Sequence, residues 1–394
     1  MSFTIFLLAL LLAGALLRID LFFNLVYLLI AIYAVSYLWA RLTSRKIITQ
    51  QSIHSHALHG EKVMVRGSIR NTGWLPMPWL EIHASLPVEL ISPANHLQVI
   101  RLGAYAQHNF SYTLNCQRRG YYTIDPLRIR TGDLHGLQTR ELDGTPAQSL
   151  VVYPRILPLE ALGLPTRSPL VSLPARHPLF DDPARLTGVR EYQRGDSPRR
   201  IHWPATARTQ QLLVKQYEPA ISRDTLICLN LNRDEYDIRE YSEATELGIV
   251  AAASIATHIV SKERLGVGLL MEGQDGRSQQ PTSIFLPPRR ENAYLMVLLE
   301  TLAHIQSHSN TRSFPDLLRQ TRLRLGWGTT IAVITSNEDE ALFDALASLQ
   351  RSGYAVALIL IRPRSINSHQ QQHAARLGIS VYRVWEERDM EKWQ

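Results

Sequence analysis

The sequence predicts a membrane α-hairpin, then a β-sandwich, then an α/β unit built on a doubly wound, mostly parallel sheet. Three observations predict it: two apolar runs within the first 40 residues, period-two alternation between about residues 61 and 153, and strand-like runs alternating with helix-like ones beyond Arg223. The expected divisions are 1–46 for two transmembrane helices (3–17 and 21–40), 47–154 for the β-sandwich-like domain, 155–186 for a connector, 187–218 for an Arg-rich segment and 219–394 for the α/β domain.

The first run, 3–17, is almost wholly apolar. Arg18-Ile19-Asp20 interrupts it, and 21–40 resumes it with Asn24 and Ser36 as its main polar residues. About 20 apolar residues cross a hydrocarbon core of about 30 Å, so the second run has the required length and the first is short. A cleaved signal peptide is the rival reading of the first run. No Lys or Arg precedes it and no small-x-small site ends it, so an uncleaved hairpin is expected. Arg41, Arg45 and Lys46 follow the second run, and positive-inside bias then places the remainder in the cytoplasm, against a bacterial inner membrane.

Between 61 and 153, runs such as Val63-Met64-Val65-Arg66 and Leu127-Arg128-Ile129-Arg130 alternate apolar with polar, which marks strands with one buried face. Residues 155–186 are rich in Leu and Pro, the composition of an irregular connector. Beyond it, strands are expected over 225–230, 265–271, 329–335, 355–361 and 380–385, with helices over 242–262, 291–306, 316–324 and 339–351. Residues 249–253 are apolar all round, as in a helix sandwiched in a large core.

With 394 residues, 45% of them hydrophobic and 20% charged, the chain can bury real cores and is not a disordered protein. Its formal charge of +7 is spread without a dense Lys/Arg block, so nucleic-acid binding is not expected; attraction to an anionic leaflet accounts for it. The two cysteines, Cys116 and Cys228, stand far apart in strand-like sequence, as buried reduced thiols would.

The most informative stretch runs from Gly188 to Arg208 and on to Glu218. It reads as strand, turn, short helix, strand: Gly195 for the turn, Asp196 as helix cap, Pro198 in the first turn and Pro204 ending or kinking the helix. Arg190, Arg194, Arg199, Arg200, Arg208 and Lys215 stand beside Glu191, Asp196 and Glu218. Two readings follow: an internal ion-pair network, or an exposed surface for a partner's carboxylates.

This stretch resembles the signature of domain-of-unknown-function family 58: Arg190 with Tyr192, Gly195 with Asp196, Arg199 or Arg200 with Ile201 and Trp203, then Ala207 with Arg208. Arg119-Gly120-Tyr121, Asp133-Leu134-His135-Gly136-Leu137 and Val152-Tyr153-Pro154-Arg155 resemble that family's lead-in, with Leu134 and His135 departing from its Asp-Pro-Phe-Gly. The resemblance covers most of the chain. It implies a C-terminal domain similar to von Willebrand factor type A, and as partners a MoxR-type AAA+ ATPase and a transglutaminase-like membrane protein.

A metal-competent domain of that type would carry Asp-x-Ser-x-Ser after its first strand, offering hard oxygen ligands to Mg²⁺. The matching place reads Asn230-Leu-Asn232-Arg-Asp234, so a degenerate metal site is expected there, and no cofactor. His54 and His56 could share a strand face as two ligands, but nothing nearby completes the set, and a juxtamembrane linker is expected. Phosphate loops, Gly-x-Ser-x-Gly elbows, His-Glu-x-x-His and Cys-x-x-Cys are absent from the sequence, and Asp196, Ser197 and His202 crowd one short turn without an evident oxyanion hole. The expected function is a membrane-anchored scaffold or adaptor rather than an enzyme; the alternative is a hydrolase or transferase acting on envelope material.

Overall fold

The computed structural model describes residues 2–17, 20–90, 97–133, 136, 138–158, 181–193, 201–219, 224–309, 312–322, 324–326, 329–363 and 379–392. The chain divides into two units, Met1–Tyr153 and Pro154–Gln394.

The first unit opens with helices α1 (Ser2–Leu17) and α2 (Asp20–Ser44), which pack on each other. α2 continues past the expected end at residue 40, because Leu-Thr-Ser carries no helix breaker before the turn at Arg45 and Lys46. By length and composition α2 can cross a membrane, and only 11% of its apolar window is buried. Ten strands follow: β1 (Ile47–Ser52), β2 (His56–Ala57), β3 (Lys62–Asn71), β4 (Met77–His83), β5 (Leu97–Leu102), β6 (Gln107–Asn115), β7 (Gly120–Ile124), β8 (Arg128–Gly132), β9 (Thr139–Asp143) and β10 (Gln148–Val152). They form sheets in the orders β1-β3-β6, β2-β10-β7 and β5-β4-β8-β9, antiparallel except for β10 with β2.

Strand β3 shows why alternation was legible: Val63, Val65, Gly67, Ile69 and Asn71 are buried, while Lys62, Met64, Arg66 and Arg70 are exposed. Its two halves feed two cores. Val63 and Val65 join Leu114, Ile124 and Leu150; Ile69 joins Met77, Leu80, Leu102 and Ile129. His54 lies between β1 and β2 and His56 opens β2, so the two do not share one strand's face. His56 instead stacks on Tyr153, their rings 5.8 Å apart.

The second unit contains β11 (Asp181–Glu191), α3 (Trp203–Thr209), β12 (Leu213–Pro219), β13 (Thr225–Leu229), α4 (Tyr241–Ser261), β14 (Val267–Asp275), β15 (Pro281–Arg289), α5 (Asn292–His304), β16 (Ile305–Gln306), α6 (Phe314–Thr321), β17 (Thr330–Thr335), α7 (Glu340–Arg351), β18 (Ala355–Ile361) and β19 (Ser380–Val384). Its large sheet runs β15-β14-β13-β17-β18-β19, with β16 also on β14. The strands from β14 to β19 are parallel to their neighbours, and β15 and β16 add on antiparallel. All five residues of β13 are buried, as expected for a central strand covered on both faces.

α4 is also long and apolar enough to cross a membrane, yet 83% of its apolar window is buried. It packs on β13, β14, β17 and β18, so its all-round apolarity serves a core. Two elements depart from the sequence reading. β15 escaped it because Pro281, Pro287 and Pro288 argue against a strand; proline is tolerated on an edge, and β15 pairs only with β14. β11 begins at Asp181, so the last residues of the expected 155–186 connector are strand, with register shifts before Gly188; most of that connector, 159–180, lies outside the described residues.

Both cysteines are free and 0% exposed. Burial, with the nearby Glu61 carboxylate, pushes the Cys116 thiol up to about 11, and complete burial pushes Cys228 up as well. A thiol reagent at pH 8 is therefore expected to modify neither in the native protein and both after unfolding. Prompt modification of the native chain overturns this placement of the two strands.

Candidate functional site

The Arg-rich segment folds as a strand, a short helix and a strand. β11 and β12 pair antiparallel, and Ile201 bridges Val214 on the way into α3. His202 caps that helix: its Nδ1 accepts from the Ala205 amide at 3.1 Å. Pro204 therefore sits in the first turn, where its fixed φ suits the helix and its missing N–H costs nothing; the expectation that it ends or kinks the helix is corrected. Gln210 closes α3 in a left-handed conformation (φ 56°). The module is tied shut by Tyr192 N to Leu212 O (2.9 Å), His202 N to Leu213 O (2.8 Å) and Leu213 N to Thr206 Oγ1 (3.1 Å).

Its surface combines apolar bulk with cations. Trp203 is 65% exposed, and Leu212, Val189 and Tyr192 are exposed as well. Arg190 and Arg208 of the same module are also exposed, Arg190 donating to the Glu191 carbonyl at 3.1 Å. Ala207 is exposed on α3 and Ile201 is half-buried. Arg194, Gly195, Asp196, Ser197, Pro198, Arg199 and Arg200 lie outside the described residues, as do Leu134, His135 and Leu137 of the lead-in.

The second place of interest is the carboxyl edge of the large sheet. From β13 the chain goes to β14 on one side, then crosses back to β17 on the other, so the strand order reverses between β13 and β17. Open α/β sheets place ligands outside the carboxyl ends of strands at such a reversal. Here the two strand ends are joined directly: Asn230, just past β13, donates through Nδ2 to Thr335 Oγ1 of β17 at 3.0 Å.

A carboxylate from the chain itself fills the centre of this edge. Glu235 Oε1 accepts from Phe314 N (2.8 Å) and Asn232 Nδ2 (3.1 Å), and Oε2 accepts from Asn230 Nδ2 (2.9 Å) and Asn337 Nδ2 (3.4 Å). Tyr236 beneath donates its hydroxyl to the Asn230 carbonyl at 2.6 Å, and complete burial, then Glu235, pushes that phenol far up. Asp234 is exposed and accepts from Ser309 Oγ at 2.9 Å. Arg233 lies over the Tyr241 ring, 4.4 Å from its centroid.

These residues do not fit the divalent cation that a type A domain would hold. The side chains of Asn230 and Asn232 present amide nitrogens to the centre of the edge, which are donors, and Asp234 turns to Ser309. Among the described residues no group of three or more His, Cys, Asp or Glu is placed to hold a metal. The sequence reading named Asn230, Asn232 and Asp234 but missed Glu235, the residue that organises them. The available signal was chemical: an Asn-x-Asn strand end supplies donors and needs an acceptor nearby.

The fold and these two places define a two-unit protein: a β-rich unit led by apolar helices, and an α/β unit with a mixed, mostly parallel sheet preceded by a basic strand-helix-strand module. Residues 188–364 of the chain match the family described as "Protein of unknown function DUF58", which begins within the module and runs through most of the sheet. The uncharacterized protein YeaD of Bacillus subtilis (strain 168) is 28% identical over 238 residues, 55% of this chain and 53% of that protein, so the chain spans about half the length of this curated relative. Solved structures similar to part of the chain include the CARDB domain of PF1109 from Pyrococcus furiosus (9% identical, 27% of this chain, 91% of that one, TM-score 0.22) and the C-terminal domain of wzt (11% identical, 28% of this chain, 75% of that one, TM-score 0.21).

Proposed function

We propose that the chain is a membrane-anchored adaptor whose C-terminal unit, resembling a von Willebrand factor type A domain, presents the Arg-rich module to a protein partner on the cytoplasmic side. The observation that carries this reading is the module's surface. Four large hydrophobic side chains, Val189, Tyr192, Trp203 and Leu212, are exposed on the module, as are Arg190 and Arg208. Exposed aromatic and apolar side chains mixed with arginine are what protein interfaces enrich. At the sheet edge the place where type A domains take a metal is filled by Glu235, which supports a docking role over a metal-dependent one.

The anchor reading rests on α1 and α2 with the positive exit Arg41, Arg45 and Lys46, which by positive-inside bias sets both following units in the cytoplasm. A MoxR-type AAA+ ATPase is the proposed partner, with a transglutaminase-like membrane protein as a further member of the assembly.

The test is capture of the tagged full-length protein from mild detergent, with and without ATP, beside Trp203→Ala and Arg200→Ala. Recovery of an AAA+ ATPase with the wild type and a loss of tenfold or more with Trp203→Ala, at an unchanged melting curve, is the expected result. Equal recovery with both variants removes the module from the interface. Recovery of no specific protein turns attention to activity screening of the purified chain.

A further inference from the structure

The last turns of α2 carry two different environments at one depth. Val35, Leu38 and Leu42 are 62%, 55% and 43% exposed, whereas Ala40 and Thr43 are 0% and 2% exposed. α1 packs on α2 but has 16 residues against its 25, so it is too short to cover the whole of α2. The β-rich region meets α2 along these turns. Strands β8 and β9 pack on α2, and the Arg140 guanidinium stands 5.6 Å from the centroid of the Tyr37 ring. Trp39 Nε1 donates to the Pro76 carbonyl at 3.2 Å. Beyond the helix, Thr72 donates twice to the Lys46 carbonyl, from N at 2.8 Å and from Oγ1 at 2.9 Å.

Two loops are thereby held at the helix exit, and one buried side chain binds them together. Asn71, 0% exposed, donates through Nδ2 to Leu75 O (2.8 Å) and Gly103 O (2.9 Å), and its Oδ1 accepts from Gly73 N (2.9 Å). Tyr105 N adds a bond to Gly73 O at 3.1 Å. On these loops Trp74 is 69% exposed and Tyr105 is 66% exposed, the latter with φ +56°. A non-glycine residue at positive φ is held there at a cost, and here the turn presents an aromatic ring to the outside. Arg41, Arg45, Lys46, Arg70 and Arg101 are exposed around the same exit, and residues 72–76 and 103–106 contain no acid.

We infer that the β-rich unit is seated in the bilayer interface, with Trp74 and Tyr105 at headgroup depth and the five cations on anionic phospholipid. This rests on the reading that α2 crosses a membrane, and it adds where the following unit sits. A helix turn with lipid on one face and protein on the other puts that protein at the depth of the lipid. Tyr and Trp are the side chains whose amphipathic rings favour that depth, and each nearby Lys or Arg adds attraction to an anionic surface. The occupant of this surface is the bilayer that carries α2.

The test places an environment-sensitive thiol label on the full-length protein in nanodiscs containing about one-third anionic lipid. Trp74→Cys and Tyr105→Cys report on the seat. Leu58→Cys is the distant control: Leu58 is 57% exposed in the turn leading to Lys62, and β3 carries the chain from Lys62 to Asn71, about 30 Å away at roughly 3.3 Å per residue. Ile30→Cys, at a position 48% exposed in the middle of α2, reports on the span. The native cysteines are buried and stay unlabelled. The expected result is at least about twofold quenching of the Trp74 and Tyr105 labels by a headgroup spin label, none at Leu58, and quenching at Ile30 by a deep-chain spin label. Ile30 quenched while Trp74 and Tyr105 behave as Leu58 does overturns the seat and leaves the span standing. Ile30 unquenched overturns the span and the seat together.

Discussion

Glu235→Ala is expected to lower the stability of the C-terminal unit by about 3 kcal/mol, whereas Asp234→Ala changes it by less than about 0.5 kcal/mol. Truncating Glu235 removes the acceptor of four donors: the Phe314 amide and the side chains of Asn230, Asn232 and Asn337. Asn230 and Asn232 are 0% and 5% exposed, so water does not readily replace the carboxylate. Hydrogen bonds to a charged acceptor contribute about 1.5–3 kcal/mol each, and stranding a buried donor costs about 1–3 kcal/mol; the shared, partly open geometry keeps the net loss near 3 kcal/mol. Glu235→Gln is expected to cost nearly as much, because one oxygen becomes an NH₂ facing other donors. Asp234 loses only an exposed bond from Ser309. Denaturant titration with and without millimolar Mg²⁺ decides the matter, since anything that binds only the folded state raises stability by mass action. A Mg²⁺-dependent rise that Asp234→Ala abolishes, with Glu235→Ala nearly silent, would make this edge a metal site after all.

Most of the sheet was legible because burial writes itself into the sequence. Strand β13 reads Thr-Leu-Ile-Cys-Leu and is buried throughout, and residues 249–253 of α4 are apolar on every side because the helix lies against several strands of one sheet. Periodicity fails where one residue type outweighs its context. The prolines of β15 contradict a strand locally and are tolerated only because no neighbour requires their missing amides. Pro204 was read as a helix end because a proline opens or closes a helix according to what precedes it, and the cap at His202 is visible only once its ring meets the Ala205 amide.

The candidate site was legible in a different sense. The Asn-Leu-Asn strand end and the Arg-rich module were found as sequence, but the partners that give them meaning are long-range. Glu235 reaches Phe314 and Asn337, 79 and 102 positions away, and one-dimensional spacing carries no trace of that. Likewise the apolar run 21–40 marked, by composition, a helix apolar enough to cross a membrane. That its last turns are shared with strands far downstream, as where Arg140 meets the Tyr37 ring, follows only from the fold.

The second large effect is expected at Asn71, where Asn71→Ala should cost the β-rich unit about 3 kcal/mol and Asn71→Asp at least as much. Alanine strands two carbonyls and one amide around a buried position: Leu75 O, Gly103 O and Gly73 N lose their partner together. Aspartate matches the shape and keeps an acceptor for Gly73 N, yet it replaces the NH₂ with an oxygen facing two carbonyl oxygens. An ionised carboxylate at 0% exposure with acceptors beside it is disfavoured, so the group is expected to take up a proton on folding, its folded pKa lying above its unfolded value. The sign follows: the folded state binds the extra proton, so the variant is more stable at low pH and loses stability as pH rises from about 4 through that raised value. Melting curves of Asn71→Asp at pH 5 and pH 8, beside Asn71→Ala at both, read this directly. If aspartate is tolerated at pH 8 as well as asparagine is, the side chain does not tie the two loops as described, and the rigid presentation of Trp74 and Tyr105 at the helix exit loses its basis.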